Sequence, residues 1–168
     1  MNYGIMKRRV RRVLKKLMTS ETNPEVLALM FQRKVCANSD YMTYDEAVAL
    51  TDPGKVNFQG NTTIIHFDEL QYFTGITVIN SASFQRCSKL KSLTLPSTIK
   101  SIYGTATFYG TVFDRLTILS KTPPYLDSSG AGLYSSTCPI YVPAESVDAY
   151  KVATGWKTEA RRIQAIPI

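Results

Sequence analysis

The sequence predicts an α+β fold in which a short solenoid of repeated strands is flanked by helical segments. The first observation is a set of apolar positions that recur every 23 residues between about residues 56 and 118. The columns with this spacing are Phe67, Leu90 and Phe113; Leu70, Leu93 and Leu116; Tyr72, Leu95 and Ile118; Val56, Ile79 and Ile102; and Ile76 with Ile99. The second observation is an apolar-x-apolar strand in each unit, which predicts a short parallel sheet. A fixed period of this length is typical of solenoids, so we predict a short leucine-rich-repeat solenoid.

Alternation along each predicted strand separates an inward side from an outward side. Leu93 and Leu95 should point into the core, while Ser92 and Thr94 should point outward. The outward column at the repeat spacing consists of Gln71, Thr94, Thr117 and Tyr141. These side chains are uncharged and can form hydrogen bonds. We interpret the column as a recognition face, and an ordinary solvated sheet surface is the alternative.

A charged column accompanies the predicted strands. Asp68, Lys91 and Asp114 share one repeat position, with alternating sign. Stacked strands would bring these side chains close together as a ladder of surface ion pairs. Exposed pairs of this kind are weak, so the ladder predicts little stability.

Positive charge is concentrated at the start of the chain. The formal net charge is +7, and the sequence after residue 18 has as many acidic as basic residues. The basic residues of the N-terminal segment are Lys7, Arg8, Arg9, Arg11, Arg12, Lys15 and Lys16. Val10, Val13, Leu14 and Leu17 have the spacing of one helical face, so we predict a basic amphipathic helix over residues 1–20. It could dock on an acidic protein, contact nucleic acid, lie on an acidic membrane surface or be a solvated face.

Residues 21–54 predict a helical lead-in that caps the open end of the solenoid. Asn23 is a candidate N-cap for a helix that starts at Pro24 and continues to about Arg33. Thr43 and Glu46 have the spacing of a capping box, which predicts another helix over residues 44–50.

The repeat domain is predicted to occupy residues 55–168 and to end in a helical closing unit. Residues 121–139 are rich in Gly, Ser and Pro and predict a long loop. Residues 144–153 predict the closing helix. We expect Trp156 to seal the end of the domain and not to act as a ligand platform.

The repeat residues also carry a family resemblance. The run from Ile76 to Ile102 resembles the BspA-type leucine-rich repeat at Ile79, Phe84, Cys87, Leu90, Leu93, Leu95, Pro96, Ile99 and Ile102. The segment 138–156 resembles the closing unit of such proteins. The run Tyr109-Gly110-Thr111 departs from the pattern near its cysteine position. The resemblance implies binding to proteins or surfaces, not catalysis.

The sequence has few residues of the types that commonly act in catalysis or bind metals. The three cysteines, Cys36, Cys87 and Cys138, are widely spaced, and Cys87 is expected to be a packed thiol. His66 is the single histidine and is expected to be structural. We therefore predict a protein that is not an enzyme, with no catalytic residues, no metal site and no cofactor.

Our leading hypothesis is a structural or binding protein of a phage virion, such as a head or tail decoration or a fibre. It follows from the repeats and from the segments NPEVL and DYMTYDEA, which resemble the lead-in of repeat proteins in gut bacteria and their phages. The sequence shows no recognisable signal peptide and no membrane span, and the expected partners are proteins of a larger assembly or a host surface. The alternatives are an adhesin-like module of the bacterial cell surface and a cytoplasmic nucleic-acid-associated protein that uses the basic helix.

Overall fold

The protein combines two parallel β-sheets with short helices, and a computed structural model describes residues 16–19, 21–127 and 130–168. The strands are β1 (Lys16–Thr19), β2 (Tyr41–Thr43), β3 (His66–Phe67), β4 (Val78–Ile79), β5 (Ser92–Leu95), β6 (Ser101–Ile102), β7 (Arg115–Ile118), β8 (Tyr125–Leu126), β9 (Ile140–Val142) and β10 (Ile163–Ala165). The α-helices of the described residues are α1 (Pro24–Gln32), α2 (Tyr44–Ala49) and α3 (Val147–Val152). Short 3-10 segments occupy Pro53–Lys55, Asp68–Tyr72, Gly130–Ser135, Ala144–Ser146 and Lys157–Arg162.

The larger sheet has five parallel strands in the order β10-β9-β7-β5-β3, and the smaller sheet has three in the order β4-β6-β8. β1 and β2 form a separate antiparallel pair. Buried apolar side chains from both parallel sheets and from the N-terminal helices form one core cluster. From β3 to β9 the chain alternates between the two sheets, so the strands of the smaller sheet lie within the crossovers that join parallel neighbours of the larger sheet.

The predicted fold class is wrong. The architecture is α/β with two parallel sheets, and no closed repeat solenoid is evident in the part of the chain that the structure describes. The 23-residue period is also not kept between β3 and β5. His66 of β3 pairs with Ser92 of β5, which is 26 residues further along the chain. Phe67 therefore lies beside Leu93, and Leu70 is buried in a 3-10 turn. Apolar residues recur along the chain because successive parallel strands share a core.

The strand register from β5 to β7 agrees with the prediction. Leu93 pairs with Leu116 and Thr94 with Thr117, and both leucines are fully buried. Two described parts of the predicted loop 121–139 have regular structure, namely β8 and the 3-10 stretch Gly130–Ser135. Trp156 is fully buried, as expected for a residue that seals the end of the core.

The N-terminal helices largely follow the sequence signals. α1 starts at Pro24, and α2 has the predicted capping box between Thr43 and Glu46. Partial burial acts to raise the pKa of Glu46, but hydrogen bonds from Thr43 and from the Ala37 N–H together lower it. Asn23 does not cap α1 with its side chain, which instead bonds to residues at the start of the larger sheet.

The predicted basic helix is wrong at its C-terminal end. Lys16 and Leu17 belong to β1, which pairs with β2, and the rest of the prediction lies outside the described residues. Within the described ranges, no helix has the length and apolar character needed to cross a membrane.

Candidate functional site

One side of the larger sheet carries a set of polar side chains from five strands and the turn after β3, and Ser92, Thr94 and Thr117 in this set are only 6–8% exposed. We call this set the polar sheet face, and it comprises His66, Asp68, Ser92, Thr94, Arg115, Thr117, Tyr141 and Gln164. Strand pairing aligns Thr94, Thr117, Tyr141 and Gln164 in one row. It aligns His66, Ser92 and Arg115 in a second row.

The Asp68 carboxylate organises one end of the polar sheet face. Its Oδ1 accepts a hydrogen bond of 2.6 Å from Thr94 Oγ1, and its Oδ2 accepts one of 2.6 Å from Ser92 Oγ. Arg115 Nη2 lies 3.1 Å from the same Oδ2 and forms an ion pair with it. A single carboxylate therefore fixes the positions of side chains from β5 and β7. Hydrogen bonds to a charged group are stronger than those between neutral groups.

His66 is joined to this network through Ser92. Its Nδ1 lies 2.9 Å from Ser92 Oγ. The Ser92 hydroxyl already donates to the carboxylate, which can only accept, so the Nδ1–H of His66 donates to Ser92. The Asn23 side chain anchors the backbone of His66. Its Nδ2 donates to the His66 carbonyl oxygen at 3.1 Å and to Glu69 Oε2 at 2.9 Å.

The network differs from a catalytic triad in the direction of its hydrogen bonds. A triad places histidine between the carboxylate and the serine, so that the imidazole accepts the serine proton. Here Ser92 lies between Asp68 and His66, and its proton is directed to the carboxylate. The arrangement orients side chains but does not activate Ser92 towards a substrate through His66.

The cysteines lie away from the polar sheet face and are buried. Burial raises the pKa of Cys87 to about 11, and its Sγ donates to the Phe58 carbonyl oxygen at 3.0 Å. Burial also raises the pKa of Cys36. Both groups are thiols at neutral pH, which makes them weak nucleophiles. Among the described residues, no group of three or more His, Cys, Asp or Glu side chains is placed to hold a metal ion.

The structure brings together three of the four residues predicted for the recognition face. Thr94, Thr117 and Tyr141 are neighbours in register, whereas Gln71 lies in the 3-10 turn and its Nε2 donates to the Asp68 carbonyl oxygen. Asp68 is the most important residue that the sequence analysis assigned wrongly, because it bonds to Ser92 and Thr94 of β5 and does not lie beside Lys91 in a ladder of ion pairs. Lys91 and Asp114 do form an ion pair, at 3.7 Å.

Of the predicted basic contact residues, the structure describes Lys16 alone. Its Nζ lies 4.6 Å from the centre of the Tyr41 ring, which is a cation–π contact across the β1–β2 pair. The remaining basic residues, Lys7, Arg8, Arg9, Arg11, Arg12 and Lys15, lie outside the described part of the chain.

We predict that Asp68→Asn lowers the free energy of unfolding by about 1–3 kcal/mol. The amide keeps one acceptor oxygen but places an NH₂ group where a donor from Ser92 or Thr94 now points. Asp114→Asn is the matched control and should cost less than about 1 kcal/mol, because an exposed ion pair contributes little. Urea unfolding of both variants measures the difference. Equal losses would show that Asp68 does not organise the face.

Comparison of the chain with protein-family models finds no match, and neither does comparison with curated proteins. A function must therefore be argued from the geometry of the polar sheet face.

Proposed function

We propose that the protein is a non-enzymatic binding protein that contacts a protein partner through the polar sheet face. The observation that carries the proposal is the Asp68 network, which fixes Ser92, Thr94 and Arg115 in place. Side chains that are already held lose little conformational freedom when a partner binds. This preorganisation lowers the cost of association.

The hydrogen bonds within the face determine what it can offer a partner. Ser92 and Thr94 use their protons on Asp68, so the lone pairs that remain on Thr94 can only accept. In the described part of the chain, the Thr117 hydroxyl has no hydrogen-bond partner, although the residue is only 8% exposed. The Arg115 side chain is 52% exposed and keeps further N–H groups for an acceptor. The partner chemistry that fits is a polar protein surface with an acceptor opposite Arg115, a donor opposite Thr94 and either kind of group opposite Thr117.

Binding is favoured over catalysis by the direction of the network. His66 donates to Ser92 and does not accept its proton, so the imidazole does not act as the base that a serine nucleophile has in a catalytic triad. The row formed by Thr94, Thr117 and Tyr141 is uncharged. Interfaces commonly have a core that is depleted in charged residues, with charges at the rim.

As a setting we propose a phage particle, in which the protein is a head or tail decoration or part of a fibre. The support for this setting is the resemblance of the lead-in segments. The basic residues near the N-terminus would fasten the protein to the assembly, and the polar sheet face would contact a second protein.

We predict that Thr117→Arg abolishes joining of this assembly, because the long charged side chain would stand in the middle of the face. Tagged protein is mixed with an extract of its native source and followed by size-exclusion chromatography. Thr105→Arg is the matched control, since Thr105 is an exposed residue of the turn after β6. We expect the parent protein and Thr105→Arg to elute with the assembly and Thr117→Arg to elute as free protein with an unchanged circular dichroism spectrum. Equal joining by both variants would refute binding through this face.

A further inference from the structure

Two exposed tyrosines lie side by side at the smaller sheet. Tyr125 belongs to β8 and is 56% exposed, and Tyr103 directly follows β6 and is 49% exposed. Their ring centres are 5.9 Å apart, and the ring planes are inclined at 48°. The neighbouring Ile102 and Leu126 are fully buried and fill the core at this point. The two rings therefore add an aromatic surface that the core does not require.

Backbone contacts hold both tyrosines in place. The Tyr125 N–H donates to the Lys100 carbonyl oxygen at 2.8 Å, and the Tyr103 N–H donates to the Ile79 carbonyl oxygen at 2.9 Å. Gly104, next to Tyr103, has a φ of +84°, and a Cβ there would lie 2.2 Å from Ser81 Oγ. The turn after Tyr103 is therefore fixed by a close approach that only glycine allows.

A buried tryptophan also anchors the residue that precedes β8, the strand of Tyr125. Trp156 Nε1 donates to the carbonyl oxygen of Pro124 at 2.7 Å, and Trp156 is fully buried. The anchored strand and the close-packed turn fix the backbone of both tyrosines, so a ligand would have to restrict only their side chains on binding.

The described residues beside the pair on these strands are of mixed polarity and have no excess of either charge. Ser101 pairs with Tyr125 and is partly exposed, and Val78 pairs with Ser101. The nearest charged residues along these strands are Lys100 and Asp127, which have opposite signs. A nucleic acid gains most of its affinity from an excess of cations, and Lys100 and Asp127 together supply no such excess. A sugar ring, by contrast, has an apolar C–H face for an aromatic ring and hydroxyl groups at its edge for hydrogen bonds.

We propose that Tyr103 and Tyr125 form a stacking platform for a neutral polysaccharide. The C–H faces of pyranose rings lie on the two aromatic rings, whose faces carry partial negative charge. The tyrosine hydroxyls and Ser101 lie at the edges of the platform and can contact sugar hydroxyls. This platform goes beyond the proposed function, because it belongs to the smaller sheet and takes a different class of ligand.

The test is retention of the full chain on insoluble neutral polysaccharides, namely cellulose, chitin, xylan and starch. We expect at least one to retain the protein, and Tyr103→Ala/Tyr125→Ala to weaken binding by about tenfold or more. The matched control, Tyr103→Phe/Tyr125→Phe, keeps both rings and should remain bound. Thr117→Arg should also remain bound, which separates this proposal from the one for the polar sheet face.

A second measurement does not depend on the folding of a variant. The polysaccharide that retains the protein should protect Tyr103 and Tyr125 from nitration by tetranitromethane, while Tyr109, which is 40% exposed, stays reactive. Retention on none of the four polysaccharides, retention that survives the double alanine substitution, or unprotected tyrosines would each overturn the proposal. Binding of single-stranded DNA in place of sugar, lost with the same alanine substitutions, would also overturn it.

Discussion

Trp156→Ala is expected to lower the free energy of unfolding by about 3–5 kcal/mol, the range for emptying a large aromatic site in a core. Trp156 is fully buried, and its ring packs edge-on against Tyr150 with centres 5.2 Å apart. The substitution also removes the donor that holds the Pro124 carbonyl oxygen. Urea unfolding followed by circular dichroism measures the loss.

Trp156→Phe separates the two contributions. Phenylalanine keeps much of the apolar ring but leaves the Pro124 carbonyl without its donor, so we expect a smaller loss of about 1–3 kcal/mol. If Trp156→Ala left the unfolding curve unchanged, Trp156 would not seal the C-terminal end of the core.

Phe84→Ala is the second substitution with a large expected effect, about 3–5 kcal/mol. Phe84 is fully buried between Phe58 and Phe108, with ring centres 5.7 and 6.1 Å away. The three rings are nearly parallel, with angles of 16° and 18° between neighbours. Alanine at the middle position would remove contacts with both other rings and leave a cavity.

Phe31→Ala is the matched control for this position. Phe31 is 44% exposed at the end of α1, so its loss should cost less than about 1 kcal/mol. Thermal unfolding of the two variants under the same conditions gives the comparison. Similar melting temperatures would contradict the assignment of Phe84 to the core.

The sequence predicted local elements correctly where a residue pattern is typical of one kind of local structure. The pair Thr43 and Glu46 satisfies two backbone groups at a helix start, and the structure has this capping box. Proline at position 24 fits the first turn of a helix, where no N–H is needed. Buried leucines in β5 and β7 also pair at the predicted spacing.

The recurrence of apolar residues every 23 positions could not give the fold class. Apolar recurrence does not distinguish a strand from a buried turn, and Leu70 is as buried as Phe67. The 3-10 turn Asp68–Tyr72 lengthens the first crossover and breaks the constant period. A column of apolar residues is therefore compatible with parallel sheets joined by crossovers of unequal length.

The sequence analysis missed part of the polar sheet face because the 23-residue period does not hold between β3 and β5. The correct offset places Asp68 in the row of Thr94, and the 23-residue period places it beside Lys91 instead. A signal for the correct register exists in the local alternation, because His66-Phe67-Asp68 and Ser92-Leu93-Thr94 are both polar-apolar-polar. The hydrogen bonds from Ser92 and Arg115 to Asp68 join residues distant in sequence, so no local pattern predicts them.

Hydroxyl-radical footprinting of the assembled protein tests most directly whether the polar sheet face is the binding surface. The free protein and its isolated complex are oxidised under the same conditions, and modified side chains are located by mass spectrometry. We predict that His66 and Tyr141 lose reactivity in the complex, while the exposed Tyr103 and Tyr125 keep theirs. Unchanged oxidation of His66 and Tyr141, with protection elsewhere on the protein, would contradict binding through this face.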